Sequence, residues 1–200
     1  DDTIVICGEI TGMTAARGFW FLEYLGHRDV HILDGGYSAW VAAGLPTTRD
    51  ADVSSATPFK FNLQPARLAT YKDVLRLIEA EDGLILDTRS REEFIGDDVR
   101  AARGGAIPGA VNLEWLENLN EDGTMKPADK LRRQFDASGV TPDKEIVAYC
   151  QTGYRSAHAY TALRLLGYER VRKYLGSWRE WGAKIHFPVE TRATDDTKVD

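Results

Sequence analysis

The residues of this chain best suited to chemistry lie in one stretch, Glu145 to Ala159, EIVAYCQTGYRSAHA. An apolar run ends at Cys150, a polar segment with Gly153 and Arg155 follows, and a helical pattern resumes at Ser156. That order reads as a strand, a tight loop and a helix start. A thiol at such a junction meets backbone N–H groups and the positive end of a helix dipole, and both favour the nucleophilic thiolate. Gly153 suits a left-handed or close-approach position. Arg155 leaves two readings open, a bidentate grip on an anion or a solvated side chain. Gln151, Thr152 and Tyr154 would shape the mouth of the loop, with Ser156 as the helix N-cap. His158 reads as a packing or helix-surface histidine, since a thiolate already ionised by its loop needs no general base. A phosphatase loop would need Cys-x5-Arg, and the sixth position after Cys150 is Ser156, so phosphate-ester chemistry fits poorly.

A second group gathers at Asp87-Thr88-Arg89, where an apolar run, Leu84 to Leu86, ends at the sheet edge on which α/β folds place their sites. Arg89 is open to an internal ion pair with Asp87 or to a place beside the substrate; Arg89 and Arg91 stand as substrate-binding candidates. Arg100 and Arg103 would add positive potential near the loop.

The elements that must position these residues follow from pattern and punctuation. Strands are expected at Thr3–Cys7, Asp29–Leu33, Leu84–Leu86, Ala110–Leu113 and Arg170–Tyr174, besides the one before Cys150. Helices are expected over Thr14–Leu25, Tyr37–Ala43, from Thr70 to about Ala80, after Ser90, over Pro127–Ala137 and over Ser177–Trp181. Between Gly44 and Leu68 the helical period is lost and prolines gather, so residues 46–66 read as a linker in which Phe59–Leu63 alone is strand-like. The tail, residues 191–200, is expected to be disordered.

With 200 residues, 43% hydrophobic content and a net charge of -6, the chain has the material for an ordinary core and none of the basic runs of a general nucleic-acid binder. The apolar runs are too short to span a bilayer and no targeting signal is visible, so a cytoplasmic protein is the default expectation. Cys7 and Cys150 are the only cysteines, and with four scattered histidines they offer no metal-ligand spacing; no metal and no cofactor is expected.

The chain also echoes itself. Ile4-Val5 matches Ile146-Val147 at an offset of 142, and Gly26, Val30, Gly35 and Trp40 match Gly167, Val171, Gly176 and Trp181 at 141. Gly8 stands where the later copy has Cys150, and Cys7 reads as a buried strand residue. By the same offset a full first copy would begin roughly 74 residues before Asp1. The expected organisation is therefore the C-terminal half of an inactive domain over 1–45, the linker, and a catalytic domain over 67–190.

At this point the residues carry a family resemblance. The motifs Leu86-Asp87-Thr88-Arg89 with Glu93-Phe94, Ile107-Pro108-Gly109-Ala110-Val111-Asn112-Leu113, Cys150-Gln151-Thr152-Gly153-Tyr154-Arg155-Ser156 and Gly176-Ser177-Trp178-Arg179-Glu180-Trp181 resemble those of rhodanese domains. The whole chain is similar to the tandem-domain thiosulfate and 3-mercaptopyruvate sulfurtransferases. The loop most resembles those of bacterial thiosulfate sulfurtransferases. The resemblance implies an α/β fold, a three-layer domain around a mostly parallel sheet plus half of a second. It implies an enzyme that moves sulfane sulfur from a small anionic donor, thiosulfate before 3-mercaptopyruvate, to cyanide or a thiol through a persulfide on Cys150. The missing first-copy segment would be a further partner. Animal rhodaneses bear arginine where this chain has Glu93 and lysine where it has Thr152, which leaves Arg155 as the candidate for the donor's sulfonate. The competing expectation is a rhodanese-like binding or regulatory module with impaired catalysis.

Overall fold

Short apolar runs bounded by turns become parallel strands here, and the stretches between them become helices covering both faces. The computed structural model describes residues 2–8, 11–50 and 58–191. In chain order its first elements are β1 (Ile4–Ile6), α1 (Met13–Tyr24), β2 (Val30–Ile32) and α2 (Gly36–Ala42). After the connecting segment come β3 (Leu68–Ala69), α3 (Tyr71–Ile78), β4 (Gly83–Asp87), α4 (Arg91–Ile95) and β5 (Val111–Asn112). The chain ends with α5 (Ala128–Ala137), β6 (Glu145–Tyr149), α6 (Arg155–Leu165), β7 (Val171–Tyr174) and α7 (Ser177–Trp181).

Five strands form a parallel sheet in the order β3-β7-β6-β4-β5, which puts β6, and so the residue after it, at the centre. Alternation along the strands sends Ile146, Ala148, Leu84 and Leu86 to one side, where they pack with Trp20 of α1, Leu131 and Phe135 of α5 and Leu163 of α6. Val147, Tyr149 and Ile85 face the other side with Val74 and Leu77 of α3, Phe94 of α4 and Trp178 and Trp181 of α7. The result is the expected three layers.

The smaller sheet pairs β1 with β2 in parallel. Its register, Ile4 with Val30 and Ile6 with Ile32, is that of Ile146 with Val171 and Ala148 with Lys173 in the larger sheet. Helix α1 joins this unit to the rest. Its Glu23 accepts from Tyr160 Oη (2.5 Å) and from Arg164 Nε and Nη2 (3.0 and 2.8 Å), and the Trp20 indole donates to Arg67 O (3.0 Å).

Two expectations change, and two stretches fall outside the described residues. Cys7 is exposed, because it shares with Val5 the face of the small sheet turned away from α1. Phe59–Leu63 forms no strand; its Asn62 N–H donates to the last carbonyls of α1 at Leu25, and Gln64 N–H to Tyr24, leaving Phe59, Phe61 and Leu63 exposed. Residues 51–57 of the linker and 192–200 of the tail lie outside the described residues, while Thr191 before them is exposed.

His158 lies inside α6, 2% exposed, its ring edge-on to Trp115 at 5.3 Å, in the packing role its position implies. Burial draws its pKa down from 6.5 to about 4. Between those values the unfolded chain binds the proton that the folded one refuses, so stability falls as pH drops through that window. Urea unfolding from pH 7 to pH 4 is expected to show a loss of roughly 3 kcal/mol attributable to this group. The loss should shrink in His158→Gln; an identical pH slope in both proteins would contradict the assignment.

Candidate active site

Cys150 follows β6 directly and is 1% exposed. Its Sγ accepts the Gly153 N–H at 3.0 Å, so the loop curls back over the sulfur. Gly153 has φ +85°, and a Cβ there would come within 3.3 Å of Lys173 Cε, which explains glycine on both counts. Helix α6 starts at Arg155, one residue earlier than the pattern implied. Ser156 is therefore inside the first turn, with its Oγ buried and unpartnered, and is not the N-cap.

The loop is held from below by α7. The Trp178 and Arg179 N–H groups donate to Cys150 O (2.8 Å) and Gln151 O (3.0 Å). Ser177, at φ +52°, accepts from Cys150 N–H (3.3 Å) and donates to Tyr174 O (2.9 Å). A non-glycine residue in that region stores strain, here in the residue that fixes the nucleophile candidate's own amide. From the other side Arg17 of α1 donates to Thr152 O (3.0 Å) and lies over the Tyr154 ring at 4.0 Å. Gln151 Nε2 donates to Arg100 O (2.7 Å); Thr152 and Tyr154 are exposed, and Gln151 and Arg155 half-buried.

The arginines divide sharply. Arg89 is 1% exposed and sits in the internal ion pair with Asp87 (Nη2 to Oδ2, 2.6 Å), with Gly105 O as a further acceptor and Trp178 stacked at 4.4 Å. It is set aside as a substrate ligand because its Nε and Nη2 are taken up by Asp87 and Gly105 O and the side chain is shut off from solvent. Burial opposes its charge, yet Asp87 more than offsets this and raises its pKa. Arg155 directs both terminal nitrogens at Glu93 (2.5 and 2.9 Å), so the bidentate contact expected for a substrate anion is made to the protein itself. Its charge still acts on Cys150, which with Glu93 lifts its pKa against the effect of burial. Arg103 is spent on the carbonyls of Trp181 (3.0 Å), Lys184 (2.6 Å) and Phe187 (2.8 Å). Arg91, the first residue of α4, is exposed.

Sequence reasoning missed Glu93 as the partner of Arg155, Arg17 as the brace of the loop, and Lys173. The last had a visible signal, a lysine two residues after Val171 on the apolar face of a strand. Lys173 is 0% exposed, its Nζ lacks a hydrogen-bond partner, and it rests 3.7 Å from the Trp20 ring.

A family model described as "Rhodanese-like domain" matches residues 1–43 and 70–184. The chain belongs to the rhodanese-like family. Its curated relatives include "Sulfur carrier protein TtuD" of Thermus thermophilus, 37% identical over 94% of this chain and 71% of that protein. A "Thiosulfate sulfurtransferase" of Azotobacter vinelandii is 38% identical over 93% and 69%. Among solved structures, the anaerobic ergothioneine biosynthesis enzyme from Chlorobium limicola superposes with a TM-score of 0.88 at 26% identity, covering 96% of this chain. This chain spans about half of that enzyme, 52%. A related structure of EanB holds ergothioneine covalently linked with a cysteine persulfide.

The Glu93–Arg155 pair makes a testable claim about this rhodanese-like site. Burial would raise the Glu93 carboxyl, but Arg155 holds it below its ordinary value. Such a group stabilises above the unfolded carboxyl pKa and loses that contribution as pH falls through the folded one. Glu93→Gln is expected to cost about 3 kcal/mol near neutrality by stranding a part-buried guanidinium. The gap to wild type should close below about pH 4; a gap independent of pH would rule out the ion pair as its source.

Proposed function

We propose that this chain is a sulfurtransferase that carries sulfane sulfur on Cys150, with thiosulfate as the favoured donor and 3-mercaptopyruvate second. The observation that carries the reading is the sulfur of Cys150 at the end of the central strand, accepting the Gly153 amide where α6 begins. That setting stabilises an anionic sulfur before and after it gains a second one. In the first step the thiolate attacks the outer sulfur of thiosulfate; the bond to the sulfonate sulfur breaks and sulfite leaves with the electron pair. In the second, cyanide or a thiolate attacks the outer persulfide sulfur, and the Cys150 thiolate departs with the electron pair.

Residues 67–190 form the catalytic unit in this reading and residues 1–45 its packing partner. Arg91 and the loop residues Gln151, Thr152 and Tyr154 receive the donor anion in this reading, with Gly153 shaping the loop and Arg155, held by Glu93, contributing its charge. The names of the relatives, a thiosulfate sulfurtransferase and a sulfur carrier protein, support this chemistry. The near-complete burial of Cys150 favours a second reading, a binding module with little turnover.

Incubation with thiosulfate is expected to add one sulfur atom to the Cys150 peptide, removable by cyanide as thiocyanate and absent in Cys150→Ser. Steady-state thiocyanate formation with thiosulfate should exceed that with 3-mercaptopyruvate. Intact mass without the added sulfur under either donor would refute the proposal, and loading without turnover would select the module.

A further inference from the structure

We infer that Lys173 is the positioning charge of the Cys150 loop: its side chain, sealed beneath the loop by α1, balances the anionic sulfur and sets the pH at which that sulfur ionises. The inference rests on the proposed role of Cys150 and adds the residue that regulates it.

Lys173 lies on β7 and points to the face covered by α1 and α6, where Trp20 covers it at 3.7 Å and Phe21 stands at 5.8 Å. It is fully buried and its Nζ donates to nothing. Burying an unpaired ammonium is costly, and an apolar side chain of equal length would fill the space at no such cost. The aromatic faces offset part of that cost. What remains is relieved by an opposite charge nearby or by loss of the proton. The charged and titratable groups acting on Lys173 are Arg17 from α1, which repels, and Cys150 from the loop, which attracts; no carboxylate does so among the described residues. The lysine stem lies beside the loop: a Cβ at Gly153 would come within 3.3 Å of Lys173 Cε.

The small sheet supplies a comparison within the same chain. Register places Ile32 of β2 where Lys173 stands in β7. Gly8 stands where Cys150 does, and the Tyr37 N–H donates to Gly8 O (3.0 Å) as the Trp178 N–H does to Cys150 O (2.8 Å). The clamp is kept in both places, whereas the sulfur and the buried cation occur together in one. Burial also draws Lys173 from 10.5 to about 7, into the range where loop thiols titrate. Only protons move: the thiol releases one as Lys173 takes up or keeps one, and no other bond changes.

The test reads the thiolate without any sulfur donor. Alkylation of Cys150 by iodoacetamide is followed against pH in a Cys7→Ser background, with Lys173→Met preserving bulk while removing charge. The midpoint is expected to rise by about one unit, giving about tenfold slower alkylation below it and an unchanged plateau at high pH. An unshifted midpoint in a cooperatively folded Lys173→Met protein overturns the inference even if sulfur loading is found. A shifted midpoint without sulfur loading upholds it while the sulfurtransferase reading fails. Should Lys173→Met not fold, or iodoacetamide not reach Cys150, the Lys173 Nζ titration is followed by nitrogen NMR in the otherwise native protein and in Cys150→Ser. Linkage is reciprocal, so its midpoint should fall when the anion is removed. An unmoved midpoint overturns the proposal.

Discussion

The ion pair between Asp87 and Arg89, shut off from water, is the constraint on which the carboxyl edge of the sheet depends. Asp87 ends β4, accepts two arginine nitrogens, and takes the Tyr149 hydroxyl at 2.5 Å, so it fastens β4 to β6 one residue before Cys150. Tyr149 Oη in turn accepts from Ile107 N–H (3.2 Å), and Asn112 bridges the carbonyls of Asp87 (3.2 Å) and Arg89 (3.0 Å). Arg89 stacks on Trp178, whose amide holds Cys150 O. The sulfur thus inherits its place from a charge pair that it does not touch. Removing either partner would leave an uncompensated buried charge, a loss of about 3–5 kcal/mol, which is why the pair acts as a keystone although its net contribution is small.

The same accounting bears on how an acidic protein would hold the proposed anionic donor. With a net charge of -6, the chain cannot rely on its overall field to attract an anion. It gathers cations around one loop and neutralises most of them locally: Arg89 by Asp87, Arg155 by Glu93, Arg103 by backbone carbonyls. Arg17 stays at the rim, engaged with Thr152 O and the Tyr154 ring. Lys173 alone among these is buried without a carboxylate. Which cations stand near the sulfur is therefore a matter of how the pairs are arranged, which the net charge conceals.

What was legible in the sequence was what is local. Apolar runs gave the strands of both sheets except the two-residue edge strand β3, for which none was expected, and the Thr70 and Ser90 helix starts follow from capping chemistry that spans four residues: Asp73 accepts the Thr70 N–H at 2.7 Å and Ser90 Oγ accepts the Glu93 N–H at 3.3 Å. The loop was legible because Cys150, Gly153 and the start of α6 are neighbours in the chain. Where distant segments decide, reading failed. Phe59–Leu63 has the composition of a strand but finds the end of α1 beside it in place of a sheet edge. Arg155 looked free because Glu93, 62 positions away, carries no mark of its partner. Cys7 looked buried because a strand-end cysteine usually is, whereas its face of the small sheet is exposed.

The two strand-loop-helix units separate what the fold requires from what the chemistry requires. Both pair their strands in the same register, and both clamp the residue after the strand by an amide from the following short helix. At Gly8 a Cβ would press on the Ala15 side chain at 3.0 Å, so that junction is packed for glycine. At Cys150 the corresponding junction admits a side chain and turns an amide towards it. Folding explains the clamp in both places and the cysteine in neither. The proposed reactivity would account for a thiol on which the charges of Arg155 and Lys173 act, in a fold that forms the same junction without one.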